Sequence, residues 1–282
     1  MWIVLWAAVT LVGLTGTLVS VNAARFAGRV RRDARELFAA AAARPPELAR
    51  LAELPAPVRR YLGRALGSSP RAIGTLRFRH GGRFRTSLDG PWQPIRGEQY
   101  DTLDPPGFLW WGRLRVAPGV WVDAVDRGVR GKGRMSVALA STLTLFERSG
   151  SELDQGAMLR LLSDFVLLPG LMLDARYVTW QPLDEQRALC TLHAPGTRVA
   201  VTGTFEFDHD GLPRSFRSER YMDSGKGTPR LLPWSGDYAD YRPVGGLLVP
   251  HHFIGYWHVD GQRVPYVDFV LEPPEYDVPE PY

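Results

Sequence analysis

A single cysteine, Cys190, stands in a chain of 282 residues. No intramolecular disulfide, cysteine-based zinc module or iron–sulfur cluster can form, and a chain of this length does not depend on such staples for a core. Lysine is nearly missing too: Lys132 and Lys226 are the only two, and arginine carries the remaining fixed positive charge. The short signatures that would name a reaction are also absent. There is no G-x-S-x-G, no H-E-x-x-H, no P-loop and no dinucleotide fingerprint after a strand. No catalytic residue is therefore assigned and no cofactor is expected. Charge is absent altogether between Trp2 and Ala24.

That uncharged stretch, as a helix rising ~1.5 Å per residue, is long enough for a hydrocarbon layer of ~30 Å. Residues 1–24 are read as a transmembrane anchor. A cleaved signal peptide is the alternative, weakened by the lack of Lys or Arg ahead of the apolar run. Arg25, Arg29, Arg31, Arg32 and Arg35 crowd the following segment, as residues touching lipid headgroups do. The expected location is the cell membrane, single-pass, with the positive-inside rule favouring a cytoplasmic globular part. Most of the formal net charge of +4 lies in this cluster. No broad basic face is left for nucleic acid, and membrane lipids are the expected partners.

Glycine (29) and proline (23) are abundant, which suits a β-rich chain that turns often. Residues 25–44 favour helix. Val58, Tyr61, Leu62, Ala65 and Leu66 then form an apolar stripe opposite Arg59, Arg60 and Arg64. From Arg71 the period becomes two: Leu76, Phe78, His80 and Phe84 alternate with Arg77, Arg79, Arg83 and Arg85. Short strand-like runs follow to Leu271, interrupted by one helix that starts at Ser151, with Asp154 completing a capping-box-like signal, and carries Leu153, Ala157, Leu161, Phe165 and Leu168. The expected organisation is an anchor at 1–24, basic and amphipathic helices at 25–70, a curved sheet at 71–272 with an inserted helix at 151–174, and an extended tail at 273–282. Asp260-Gly261 is a type I′ hairpin signal. It pairs Trp257 with Val264, Gly255 with Tyr266 and Phe253 with Asp268 on one face, and Ile254 with Val267 and His252 with Phe269 on the other. Both faces are substantially apolar, so both need cover, and a curved sheet with helices on one face and a cavity on the other meets that need.

Several blocks are distinctive: LPAPVRRYL (54–62), HGGRFR (80–85), WQP (92–94), DPPGFLWW (104–111), GKGRM (131–135), DGLP (210–213), PWSGDYADYRPVGGLLVP (233–250) and DGQRVPYVDF (260–269). In them the chain resembles an uncharacterised bacterial family, membrane-anchored or exported, whose members are similar to the lipoprotein-carrier (LolA-like) half-barrel. The resemblance implies an α+β fold: a strongly curved antiparallel β-sheet with packed helices, here preceded by one N-terminal transmembrane helix. It also implies an apolar hollow able to hold an acyl chain, and it brings no activity. Carriers of that kind are soluble in the periplasm, so the anchor departs from the pattern and leaves the membrane side open.

Phe108, Trp110, Trp121, Phe253, Trp257 and Tyr266 are the candidate lining of such a hollow, or simply core. Asp164 and Asp268 join them, because a carboxylate buried among apolar neighbours has a raised pKa and can mark a cavity. Asp164 alternatively pairs with Arg160 one helical turn away. No metal site is expected: His251 and His252 face opposite sides of a strand, and His252 and His258 lie ~20 Å apart at ~3.3 Å per residue. The functional expectation is a membrane-tethered binding domain for an apolar ligand, such as an acyl chain or a lipidated protein, without catalysis. The alternative is an enzyme of lipid or cell-envelope chemistry using a buried carboxylate or histidine, which requires a polar cleft where two titratable groups converge. A scaffold engaging a protein partner is a third class.

Overall fold

A computed structural model describes residues 1–67, 70–222 and 228–282, except the side chains of 3–5, 7–9, 11, 12 and 15; Lys226 lies outside the described residues. The chain forms two antiparallel meanders. The first comprises β1 (Thr75–Phe84), β2 (Gln93–Leu103), β3 (Pro106–Ala117), β4 (Val120–Val129), β5 (Lys132–Leu139) and β6 (Leu143–Ser149). The second comprises β7 (Val178–Pro182), β8 (Arg187–His193), β9 (Ala200–Phe207), β10 (Pro213–Met222), β11 (Arg230–Val244), β12 (Leu247–Val259) and β13 (Gln262–Leu271), and the short β14 (Glu275–Tyr276) pairs with β1. Pairing of β1 with β13 joins the meanders into one sheet whose order runs from β6 at one edge to β7 at the other. Consecutive strands β6 and β7 thus lie at opposite edges. The chain between them crosses the gap as helix α3 (Ser151–Ser163), followed by 3-10 turns at Asp164–Val166 and Pro169–Leu173.

That crossing shows how far the sheet curls. Helix α3 packs on β5 and on β10, which are eight strand positions apart in the sheet. Laid flat at ~4.8 Å per strand they would be ~38 Å apart, several times the ~10 Å diameter of a helix. The sheet is therefore a large, strongly curved, unclosed antiparallel sheet with few helices, and α3 lies across its concave side. Glycine permits the curl. On the concave wall, Cβ atoms at Gly97, Gly112, Gly128, Gly203 and Gly236 would collide with the rings of His80, Trp110, Phe108, Phe216 and Phe253, which lie flat across them.

The end of α3 and the 3-10 turn that follows it are held by their carbonyls, which a helix terminus leaves without partners of its own. Tyr238 donates to Ser163 O (2.7 Å), Tyr276 to Leu167 O (2.9 Å), and Tyr61, from helix α2 (Ala56–Ala65), to Val166 O (3.2 Å). All three rings are buried, and burial pushes each phenol above its ordinary value, so they remain donors. One continuous apolar core joins α2, α3, the 3-10 turns and the concave wall, and Cys190 is buried within it.

Two local expectations are corrected. The Asp260-Gly261 turn forms, with both residues at positive φ, and Trp257 does pair with Val264. Beyond it the register shifts, because Tyr256 pairs with Pro265 and Gly255 with Val267, leaving Tyr266 as an extra residue. This bulge moves Phe253 opposite Phe269 and Ile254 opposite Asp268. The capping box is also not made: Gly150 is the N-cap with no side-chain bond, and Asp154 instead accepts from Gly133 N (2.8 Å) and Lys132 Nζ (2.7 Å) of β5.

The single-pass anchor and the membrane location built on it are overturned as well. Among the described residues no helix is long and apolar enough to cross a membrane. Helix α1 (Trp2–Ala39) runs without a break from the uncharged stretch into the arginine-rich segment. Its second half is part of the folded body: Phe26, Val30, Ala34, Leu37 and Phe38 recur at helical spacing and bury against Tyr100, Leu109 and Ala138 on the convex face. The flanking arginines serve the tail, with Arg31 donating to Tyr282 O and Arg35 pairing with Glu280 (3.5 Å).

The glycine wall yields a stability test. Gly112→Ala forces a methyl into the Trp110 ring and is expected to destabilise the protein by about 1–3 kcal/mol in urea unfolding. Gly13→Ala, with nothing within 4 Å, is expected to be neutral or stabilising by up to ~1 kcal/mol in the same assay.

Candidate functional site

The concave wall brings together six of the eight sequence candidates. Phe108 and Trp110 of β3, Phe253 and Trp257 of β12, and Tyr266 of β13 belong to the same core, and Asp164 follows α3 into it. Trp110 stacks with His80 (centroids 6.0 Å apart) and donates to its Nε2 (2.8 Å). Trp257 and Tyr266 lie 5.9 Å apart. The other two candidates face away. Trp121 is on the convex side, donating with Ser141 to Asp123 Oδ2 (2.9 and 2.6 Å), while Trp111 and Arg113 take Oδ1 (3.0 and 2.8 Å). Asp268 is turned outward by the bulge, where His252 (2.8 Å) and Arg83 (2.9 Å) hold it. Burial pushes its carboxyl up, but those two bonds outweigh burial and leave it below the ordinary value.

Beneath α3 a polar cluster interrupts the apolar wall. Arg160 donates to Asp126 (3.0 Å) and to Gln99 Oε1 (2.9 Å), lies over the rings of Phe108 (5.0 Å) and Trp110 (4.9 Å), and is 3.9 Å from Asp164. The Gln99 amide donates to Asp101 (2.9 Å) and to Asp164 (2.9 Å), bridging two carboxyls. Burial, then the neighbouring Asp164, pushes Asp101 well above the carboxylate range; burial also raises Asp164, against the pull of Arg160 and Gln99. Burial lowers His80 to about 3, so it is neutral. Titratable groups do converge here, as an enzyme would require. Yet Asp101 is fully buried, and none of the three cavities described below is lined by Asp101, Asp126, Arg160, Asp164 or His80. The cluster ties α3 to β2 and β4. Among the described residues no group of three His, Cys, Asp or Glu side chains could hold a metal ion.

An opening is found elsewhere, where two strands part. β9 and β10 pair only between Phe207↔Pro213 and Thr204↔Arg217. Beyond that, β9 continues along β8 as far as Ala200, and β10 along β11 as far as Met222, so Ala200–Gly203 and Ser218–Met222 diverge. The Gln155 side chain of α3 substitutes for the missing strand, donating to Glu219 O (2.8 Å) and accepting from Tyr221 N (3.3 Å). The cleft between the strands has a volume of about 520 Å³ and is lined by residues of both sheet faces: Leu159, Val201 and Trp234 within, Thr202, Arg217 and His258 at the rim. A second cleft of about 570 Å³, along Arg187 and Glu206 on the convex side, adjoins it through Thr204 and Arg217. A third of only about 50 Å³ lies between Arg44, Arg176 and Leu171. Sequence reading missed the lining of the first. Trp234 stands in a distinctive block, but nothing local marks where two strands stop pairing.

The cluster yields a pH prediction. A carboxyl whose folded pKa is raised contributes its stability fully below the ordinary value of 3.8, and loses it as pH rises through the folded value. Asp101→Asn keeps an acceptor for Gln99 but cannot ionise. Measured against Asp101→Asn, the urea midpoint of the wild type is expected to fall as pH rises above about 4. Equal slopes would remove Asp101 as the source.

Two solved structures resemble the chain at low identity. A LolA superfamily protein from Nitrosomonas europaea matches with a TM-score of 0.43 and 9% identity, over 78% of this chain and 91% of that one. A DUF1329 family protein from Desulfovibrio piger matches with a TM-score of 0.40 and 14% identity, over 83% and 95%. No curated protein matches. Residues 44–269, a span containing every motif block quoted above, match the family described as a family of unknown function, DUF6544, and the chain belongs to that family.

Proposed function

We propose that this protein is a binding domain for a single-chain amphiphile, of the fatty acyl class, that enters the curled sheet between β9 and β10. The observation that carries the reading is the parting of those strands directly over Leu159 and Trp234. The gap is a built feature, because Gln155 supplies partners to the β10 edge that β9 leaves open. Its volume of about 520 Å³ falls within the ~300–1,000 Å³ typical of small-molecule sites. Leu159, Val201 and Trp234 give the cleft an apolar wall for an alkyl chain, with polar side chains beside it to meet a head group. Trp234 leads on to the aromatic wall: its indole donates to the Tyr266 hydroxyl (3.0 Å), and its ring centroid is 6.4 Å from that of Phe253. The sequence-derived expectation of an apolar ligand is kept in this form, with the guest placed in a lateral cleft.

The buried thiol of Cys190 makes a selective test possible, since burial raises its pKa and shields it from reagents. Thr202→Cys puts one accessible thiol at the rim and Ala239→Cys puts one on a strand outside the cleft. Attachment of a bulky maleimide at 202 is expected to weaken binding of a fluorescent fatty acid by at least about tenfold, and attachment at 239 to leave it unchanged. Unaltered binding after labelling at 202, or no saturable binding by the unlabelled protein, overturns the reading.

A further inference from the structure

We propose that the cleft selects an oxyanion head group, carboxylate or phosphate, and that Arg220 and Ser218 of β10 receive it. The inference rests on the amphiphile reading above and adds the chemistry of the polar end. Both side chains point to the concave side: Ser218 lines the cleft beside Trp234, with which it pairs directly, and Arg220, two residues further along the same face, lies next to that lining and outside it. Arg220 is half-buried, its guanidinium 5.3 Å from the centroid of the Trp234 ring. Among the described residues no carboxylate or carbonyl accepts a hydrogen bond from it. Arg160, the other arginine under α3, has both a carboxylate and an amide oxygen. Asp164 feels the Arg220 charge but is not in contact with it. The Ser218 hydroxyl, in the wall of the cleft, is buried and likewise has no partner.

Helix α3 passes directly beside this guanidinium, at ordinary contact distance. Gly156 lies inside the helix, where glycine costs ~1 kcal/mol relative to alanine. A Cβ there would be 3.4 Å from Arg220 Nε and 3.7 Å from Nη2. A half-buried guanidinium with five donors and no acceptor is poorly satisfied, and a planar two-oxygen anion matches its fork. Ser218, two residues away on the same face, supplies a further donor. An amphiphile whose chain lies against Leu159 and Trp234 would bring its head group to this pair.

The test uses the full chain and four probes: a long-chain fatty acid, the alcohol of equal length, a lysophospholipid and inorganic phosphate. The wild type is expected to bind the acid at least tenfold more tightly than the alcohol, as loss of a charge-assisted hydrogen bond implies. Arg220→Gln is expected to abolish that difference while leaving the alcohol unchanged, and Arg220→Lys to restore part of it. Circular dichroism and Tm establish that each variant folds, and Ser218→Ala, expected to weaken the acid severalfold, carries the test if Arg220→Gln does not. Equal binding of acid and alcohol by the wild type, or a preference surviving in Arg220→Gln, overturns the anion site and leaves the binding-domain reading standing. Phosphate bound by the wild type and lost in Arg220→Gln, with no amphiphile bound, keeps the anion site and overturns the amphiphile. Binding of the lysophospholipid in preference to the acid, again lost in Arg220→Gln, supports the site and assigns it to phosphate heads. No binding of any probe overturns both.

Discussion

Three tyrosine hydroxyls, from Tyr61, Tyr238 and Tyr276, seize the carbonyls left free at the end of α3 and in the 3-10 turn after it, and the concave half of the molecule depends on that grip. The donors come from a helix, a central strand and the last short strand, so the carbonyls can all be satisfied only when the curl is complete. Unsatisfied, each buried carbonyl would cost ~1–3 kcal/mol. The first turns of α3 are tied by different means on either side, Asp154 to the β5 backbone and Gln155 to the β10 edge. Because β6 and β7 are the two edges of the sheet, the chain must cross the concave side somewhere, and these contacts fix where.

The same helix decides what can reach the interior. It covers Asp101 and the bridged carboxyl cluster while leaving the β9–β10 parting open at its Gln155 end. Curl and opening are related. Rings lie over glycines of β2, β3, β4, β9 and β11, and at β9 and β10 two strands in addition cease to pair.

Charge is treated differently on the two faces. On the convex face three arginines of the stripe are engaged within the fold: Arg77 pairs with Glu275, Arg83 with Asp268, and Arg79 lies over the Tyr282 ring at 3.9 Å. Asp123, fully buried there, takes donors from two indoles, a guanidinium and a hydroxyl, with Ser141 held at positive φ to deliver the last. On the concave side, among the described residues, Arg220 has no carboxylate or carbonyl acceptor and the buried Ser218 hydroxyl has no partner.

The alternation from Leu76 to Phe84, the Asp260-Gly261 turn and the stripe of α2 were legible because each is a local pattern of period two or 3.6. So was membership of an uncharacterised family, carried by blocks that all fall within residues 44–269. The anchor read from the uncharged stretch at residues 2–24 did not hold, since among the described residues no helix is long and apolar enough to cross a membrane and the second half of α1 packs on the sheet. The face occupied by Asp268 was lost to one extra residue, Tyr266, because a bulge inverts every side chain beyond it and leaves no mark in the pattern. What residue order determined by itself was where strands and turns fall and which side chains share a strand face. Which strands part, which carboxyls share an amide and which ring Arg220 lies over were decided only when segments distant in sequence met around α3, because pairing and satisfaction belong to groups brought together by the fold and not to either segment alone.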